Sequence, residues 1–186
     1  MKIYTAKGDQ GSTDLLGERV GKDDPRIDLM GALDESTSSI GLGRAHATID
    51  DLQPLLLQAQ RDLYQIMAEL AFVDELRPDV YHLKPDRVDW LEESIAEVEA
   101  TVTLPPQFVI AGDTVSGAAL DVARTVVRRA ERQAVGLDAA GHGLNPEILR
   151  YLNRLSTLLF IIARAEDLAA SDGPRLAKST GDEPRQ

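Results

Sequence analysis

Apolar side chains recur every three to four residues in five separate stretches of this sequence, a spacing that lays one apolar stripe along each of five helices. The first stretch runs from about Arg26 to Ala47, and Pro25 suits a helix start. It is crowded with small residues, among them Gly31, Ala32, Ser36, Gly41 and Gly43. So many weak helix formers predict close packing against a neighbour. The second, about Asp51 to Leu76, puts Leu52, Leu56, Ala59, Leu63, Ile66 and Leu70 on one face. The third, about Pro85 to Ala100, backs the stripe Val88, Leu91, Ile95 and Val98 with an acidic face. The fourth spans about Thr114 to Leu137. The fifth begins at Asn145-Pro146, a cap followed by proline, and runs to about Ala170. A single all-α domain over residues 1–170 is the expected architecture, a bundle of five helices that opens on an irregular glycine-rich segment of about 25 residues. A disordered tail is expected over residues 171–186.

Composition narrows the function. At 186 residues with 43% apolar content, the chain is sized for one domain with one core. No apolar run approaches the ~18 residues of a membrane helix, and MKIYTAKGDQGS has no apolar secretory segment, so no membrane partner is expected. Cysteine is absent, which excludes disulfides, thiolate zinc sites and cysteine nucleophiles. A net charge of −11 disfavours nucleic acid as a partner. The excess lies in residues 1–107, with 10 basic and 21 acidic residues; residues 108–186 hold 10 of each. Seven arginines and only three acids fall between Arg124 and Arg164. Such an island in an acidic chain suits a small anion.

On the fourth helix Arg124, Arg128, Glu131 and Arg132 share one stripe. Guanidinium forks one turn apart can clamp a polyphosphate. Arg–Glu pairing on a solvated face is the commoner use of that spacing, so both readings stand at this level. TAKGDQGST is a glycine-spaced loop with hydroxyls, able to bring backbone N–H groups close to phosphate, or simply a turn. It lacks the GK[ST] ending of a Walker loop. Asp34-Glu35 sits among small residues and is expected to pair with the arginine helix. Asn153, a poor helix former within the fifth helix, is either a hydrogen-bond donor to a ligand or a solvated polar residue. A ferritin-type dimetal site needs two Glu-x-x-His pairs, and the only near match, Asp79-x-x-His82, falls in a proline-bounded loop. No metal site built from protein side chains is expected.

IYTAKGDQGST, GERVGKDDPRI, GALDE, FVIAGDT, ARTVVRRAER and LNPEILRYLNRLSTLLFIIAR occur in an order that resembles the PduO-type ATP:cob(I)alamin adenosyltransferases over residues 2 to about 165. The resemblance implies a five-helix bundle of ferritin-like up-down topology, assembling as a cytoplasmic homotrimer with sites between subunits. It implies transfer of the 5′-deoxyadenosyl group of ATP to the cobalt of reduced cobalamin, with Mg²⁺ on the triphosphate and a flavoprotein reductase as partner. It implies that Thr5, Gly8, Asp9, Gly11, Ser12 and Thr13 form the ATP loop beside Lys22. Arg128, Glu131, Arg132 and Asn153 would complete that site. Asp34 would pair with Arg124 across the interface, and Phe108 and Phe160 would face the corrin. Composition alone would make Phe108 a core residue. The chain departs from the family pattern at Ala6, Ala111, Asp113, Asp121 and Thr157. A divergent trimeric binding protein with little turnover is the alternative.

Overall fold

The computed structural model describes residues 4–170 and 175–178. After a loop, two short strands, β1 (Ser12–Asp14) and β2 (Arg19–Gly21), form an antiparallel hairpin with Thr13 opposite Val20. Five helices follow: α1 (Pro25–His46), α2 (Gln53–Ala71), α3 (Asp86–Glu99), α4 (Val115–Leu137) and α5 (Pro146–Ala170). All five expected helices therefore form. Asp24 caps α1 by accepting the Arg26 N–H at 2.9 Å, and Thr114 caps α4 by accepting from Gly117 at 2.8 Å.

The expected second helix is too long at its C-terminal end. It stops at Ala71, and residues 74–76 make only a short 3₁₀ turn. The reason is tertiary: the Leu16 N–H donates to the Ala71 carbonyl at 2.8 Å, and the Val73 N–H donates back to Leu16 at 3.1 Å. Pairing with the N-terminal segment draws the chain out of the helix.

α1 packs between α2 and α4, and α5 packs between α4 and α3. One continuous core runs through the bundle, built from Leu33, Leu63, Leu91, Val127, Leu155 and their neighbours. The small residues of α1 act unequally. A Cβ on Gly43 would lie 2.7 Å from Leu120, so glycine is what lets α1 approach α4 there. Gly31 has nothing within 4 Å of its missing Cβ and is exposed, so close packing does not account for it within the chain.

A polar clasp ties α2, α3 and α5. Buried Asp62 accepts from Arg87 at 2.7 Å and from the Tyr151 hydroxyl at 2.8 Å. Burial, and then the adjacent Asp62 carboxylate, pushes the Tyr151 phenol well above its ordinary value. The expected tail lies mostly outside the described residues. Its 175–178 stretch is paired, with Leu176 bridging Val109 in antiparallel fashion and Ala177 donating to the Phe108 carbonyl at 2.7 Å.

Candidate functional site

The glycine loop is organised by Arg19, a residue that the sequence reading assigned no role. One arm of its guanidinium donates to the Lys7 carbonyl at 2.6 Å and to Ser12 Oγ at 2.8 Å; the other holds Asp14 at 2.6 Å. The folded hairpin sets Arg19 opposite Asp14, a pairing that the sequence shows only as opposite charges five residues apart. Gly11 adopts φ 78° and Ala6 φ 59°, so the loop turns twice through left-handed backbone. Glycine does this freely, whereas alanine is strained there. Lys22 closes the loop: its N–H donates to the Gly11 carbonyl at 2.8 Å, and a Cβ on Gly8 would lie 3.2 Å from Lys22 Nζ. Thr5, Asp9 and Lys22 are exposed, and Ser12 and Thr13 half-buried. The loop is moored to α1 by Arg26, which bonds Glu18 at 2.6 Å and Asp24 at 2.9 Å. The Arg26 side chain holds the Asp24 carboxyl below the usual carboxylate range, against the opposing effect of burial.

A second group forms on α4 and α5. Asn153 Nδ2 donates to Glu131 Oε1 at 2.8 Å, and Arg154 donates to Asn153 Oδ1 at 2.8 Å while bonding Glu92 on α3 at 2.9 Å. The amide of Asn153 is thus oriented from both sides. Arg128 Nη1 stands 4.0 Å from Glu131 Oε2, at the limit of an ion pair, and both Arg128 and Arg132 are exposed. The structure brings Arg128, Glu131 and Asn153 together. Among the described residues, no hydrogen bond or ion pair joins this group to the glycine loop.

Asp34 is exposed, and its neighbour Glu35 makes the α1–α4 ion pair, with Arg129. Arg124 bonds Asp121 at 3.0 Å. Asp34 and Arg124 form no ion pair with each other among the described residues.

Phe108 precedes α4 and is 88% exposed, which overturns the core reading of this ring within the chain. Its segment is held by the pairing with 175–178 and by Asp113, which accepts from the Arg175 N–H at 2.9 Å. Phe160 is half-buried on α5, 5.5 Å from the Arg164 guanidinium carbon to the ring centre. A shallow cavity of about 280 Å³ lies between Ala111-Gly112 and the Asp121–Thr125 stretch of α4. A second, of about 270 Å³, lies where the start of α1, the end of α2 and the α4–α5 connection meet, and contains none of the expected site residues. Among the described residues, no three His, Asp or Glu side chains gather to hold a metal ion, and no helix is long and apolar enough to cross a membrane.

Residues 3–166 match the family model described as cobalamin adenosyltransferase. A corrinoid adenosyltransferase of Bacillus subtilis is 37% identical over 177 residues, which are 93% of this chain and 90% of the relative. A cobalamin adenosyltransferase of Cupriavidus metallidurans is 39% identical over 165 residues, 88% of this chain and 86% of the relative. The solved structure of a variant PduO-type ATP:corrinoid adenosyltransferase from Lactobacillus reuteri, complexed with cobalamin and ATP, superimposes with a TM-score of 0.87 at 33% identity, covering 96% of this chain and 100% of that one. With a match that runs through the loop, α4 and most of α5, this chain belongs to the cobalamin adenosyltransferase family.

Proposed function

We infer that the protein transfers the 5′-deoxyadenosyl group of ATP to the cobalt of a reduced corrinoid. The C5′–O5′ bond of ATP breaks, a cobalt–C5′ bond forms, and triphosphate leaves with the bonding pair. Cobalt(I) is the nucleophile, so the protein has two tasks: to hold C5′ in line with cobalt and to stabilise charge on the leaving triphosphate. The observation that carries this reading is the group Arg128, Glu131 and Asn153. It is assembled across two helices, with its guanidinium exposed, in a chain of this family.

In this reading Arg128 and Arg132 face the phosphates, and the oriented Asn153 amide and Glu131 hold the nucleoside. The loop from Thr5 to Thr13, with Gly8, Asp9, Gly11, Ser12 and Lys22, supplies N–H groups and an ammonium to the same nucleotide. Magnesium, when bound, neutralises charge on the phosphate oxygens. Phe108 and Phe160 face the corrin. The exposed Phe108 ring is a ready cover for the lower face of the corrin, where it would keep a lower ligand off cobalt.

The loop and the helix group complete one site if they come from neighbouring subunits, so a homotrimer with ferritin-like up-down helices belongs to the proposal. Support comes from Leu42 on α1 and Val122 and Val135 on α4, apolar side chains left about half exposed in the single chain. Asp34 and Arg124 then meet across the boundary. One domain over residues 1–170, a cytoplasmic location and a flavoprotein reductase that supplies cobalt(I) complete the reading.

Mixing the protein with ATP and chemically reduced cobalamin tests it. The expected result is loss of the cobalt(I) absorption with stoichiometric adenosylcobalamin and triphosphate. Binding of both substrates without product would make the chain a binding protein. A stable monomer in sedimentation would remove the shared site.

A further inference from the structure

Arg124 has a task in the reading above, but a flexible arginine must be aimed before it can do it. On α4, Asp121 lies one turn before Arg124 and is buried. Its Oδ1 accepts from Arg124 Nε at 3.0 Å, and its Oδ2 accepts from Arg164 Nη2 at 2.5 Å. Arg164 is 1% exposed, pairs also with Asp167 at 2.9 Å, and lies against the Phe160 ring. We propose that Asp121 is a positioning residue that aims Arg124 and links its placement, through Arg164, to Phe160. The proposal rests on the role given to Arg124 above.

The geometry separates this from simple charge neutralisation. Arg164 also pairs with Asp167 and takes only Oδ2 of Asp121, so Oδ1 is left for a different cation, Arg124. Asp121 takes the inner nitrogen of Arg124, and among the described residues the two terminal nitrogens have no partner. The Arg124 side chain remains 29% exposed and, with Asp121, lines the cavity beside Ala111 and Gly112. A guanidinium held by its inner nitrogen keeps its outer pair as a fork for a carboxylate or phosphate. Because Arg164 is buried against Phe160, a shift of that ring moves the second anchor of the same carboxylate.

Side-chain nitrogen NMR on the intact protein tests the anchor without reference to activity. The Arg124 Nε proton should exchange slowly with water, and Asp121→Asn should speed that exchange about tenfold or more, since the charge-assisted bond is lost. Equal exchange in both proteins overturns the proposal. Turnover tests the consequence. Asp121→Asn should lower kcat about tenfold in the natural background and less than about twofold beside Arg124→Gln, with the trimer retained and turnover read at a temperature where every variant is folded. Additive losses overturn it. If Asp121→Asn does not fold, Arg124→Lys serves, because an ammonium cannot hold Asp121 and present a fork together. Full activity in Arg124→Lys overturns the proposal. An inactive natural protein would instead sink the adenosyl-transfer reading, and proton exchange would still decide the anchor.

Discussion

Helices α4 and α5 carry charge at both of their shared ends, and the two ends treat it oppositely. Where the start of α4 meets the end of α5, Arg164, Glu166 and Asp167 are all buried. Each is partnered: Arg164 by two aspartates, Glu166 by Thr48, Ile49 and Ser116, and Asp167 by Thr114 and Arg164. A Cβ on Gly117 would collide with Asp167, so even the backbone there is shaped around a carboxylate. Toward the other end, Arg128 and Arg132 are exposed, and the nearest acid to Arg128 stands at 4.0 Å. Buried charge must be paired internally because an unpaired ion out of water costs several kcal/mol. Exposed charge that stays loosely paired is available to a ligand anion. The same residue types on the same helices thus hold the fold at one end and stand exposed at the other, where the proposed nucleotide site lies.

Breaking the buried end should give the largest effect. Arg164→Ala leaves buried Asp167 without this cation and Asp121 with Arg124 alone, and should cost about 3–5 kcal/mol in denaturant unfolding. A loss under about 1 kcal/mol would mean that the two ends do not differ in kind.

At the open end the loss should appear in function. Arg128→Ala should reduce ATP binding or turnover by the equivalent of about 1.5–3 kcal/mol, a charge-assisted contact, while stability changes by less than about 0.5 kcal/mol. Arg150, an exposed arginine that pairs with Glu147 on α5, is the control, and its alanine variant should leave turnover unchanged. Equal, negligible effects at both positions would return the arginine stripe to surface ion pairing.

Acid sharpens the contrast. Burial opposes ionisation of Glu166, but the Thr48 and Ile49 N–H groups and the Thr48 and Ser116 hydroxyls outweigh it and hold the carboxyl below its ordinary 4.5. As pH falls, the unfolded chain takes up the proton first. The contribution of Glu166 is therefore complete above about pH 4.5 and is lost as pH drops through the folded value. Glu166→Gln should cost about 2 kcal/mol at neutral pH and flatten the acid limb of a stability profile. An unchanged acid limb would show that the clasp does not need charge.

The smallest stability effect should be at Phe108. Phe108→Ala should change folding stability by less than about 0.5 kcal/mol, because the ring is 88% exposed in the chain. Adenosylation starting from cobalt(II) should slow markedly, with partial relief when cobalt(I) is supplied. A large stability loss with no selective effect on the cobalt(II) reaction would make the ring a structural residue of the assembly.

Local pattern was enough for what depends on local physics. The apolar spacing specified five helices, because each helix must bury one stripe and the 3.6-residue period shows in the sequence. Pro25, Thr114 and Asn145 marked three helix starts, since capping depends on neighbours along the chain. The expectation that the Asp34-Glu35 pair meets the arginine helix was met by Glu35 with Arg129, and the order of motifs carried the family. Contacts distant in sequence were decided only in three dimensions. The end of α2 depends on Leu16, 55 residues before Ala71. The role of Asp121 depends on Arg164, 43 residues on, and the clasp on Glu166 joins residues 118 apart. Phe108 read as core by composition because apolar character says nothing about which side of a loop faces water. Spacing on one helix left the arginines of α4 between ion pairs and a ligand site. Packing α4 against α5 gave Glu131 a partner in Asn153 and kept Arg128 exposed, because only the folded bundle determines which charges find a partner and which remain at the surface.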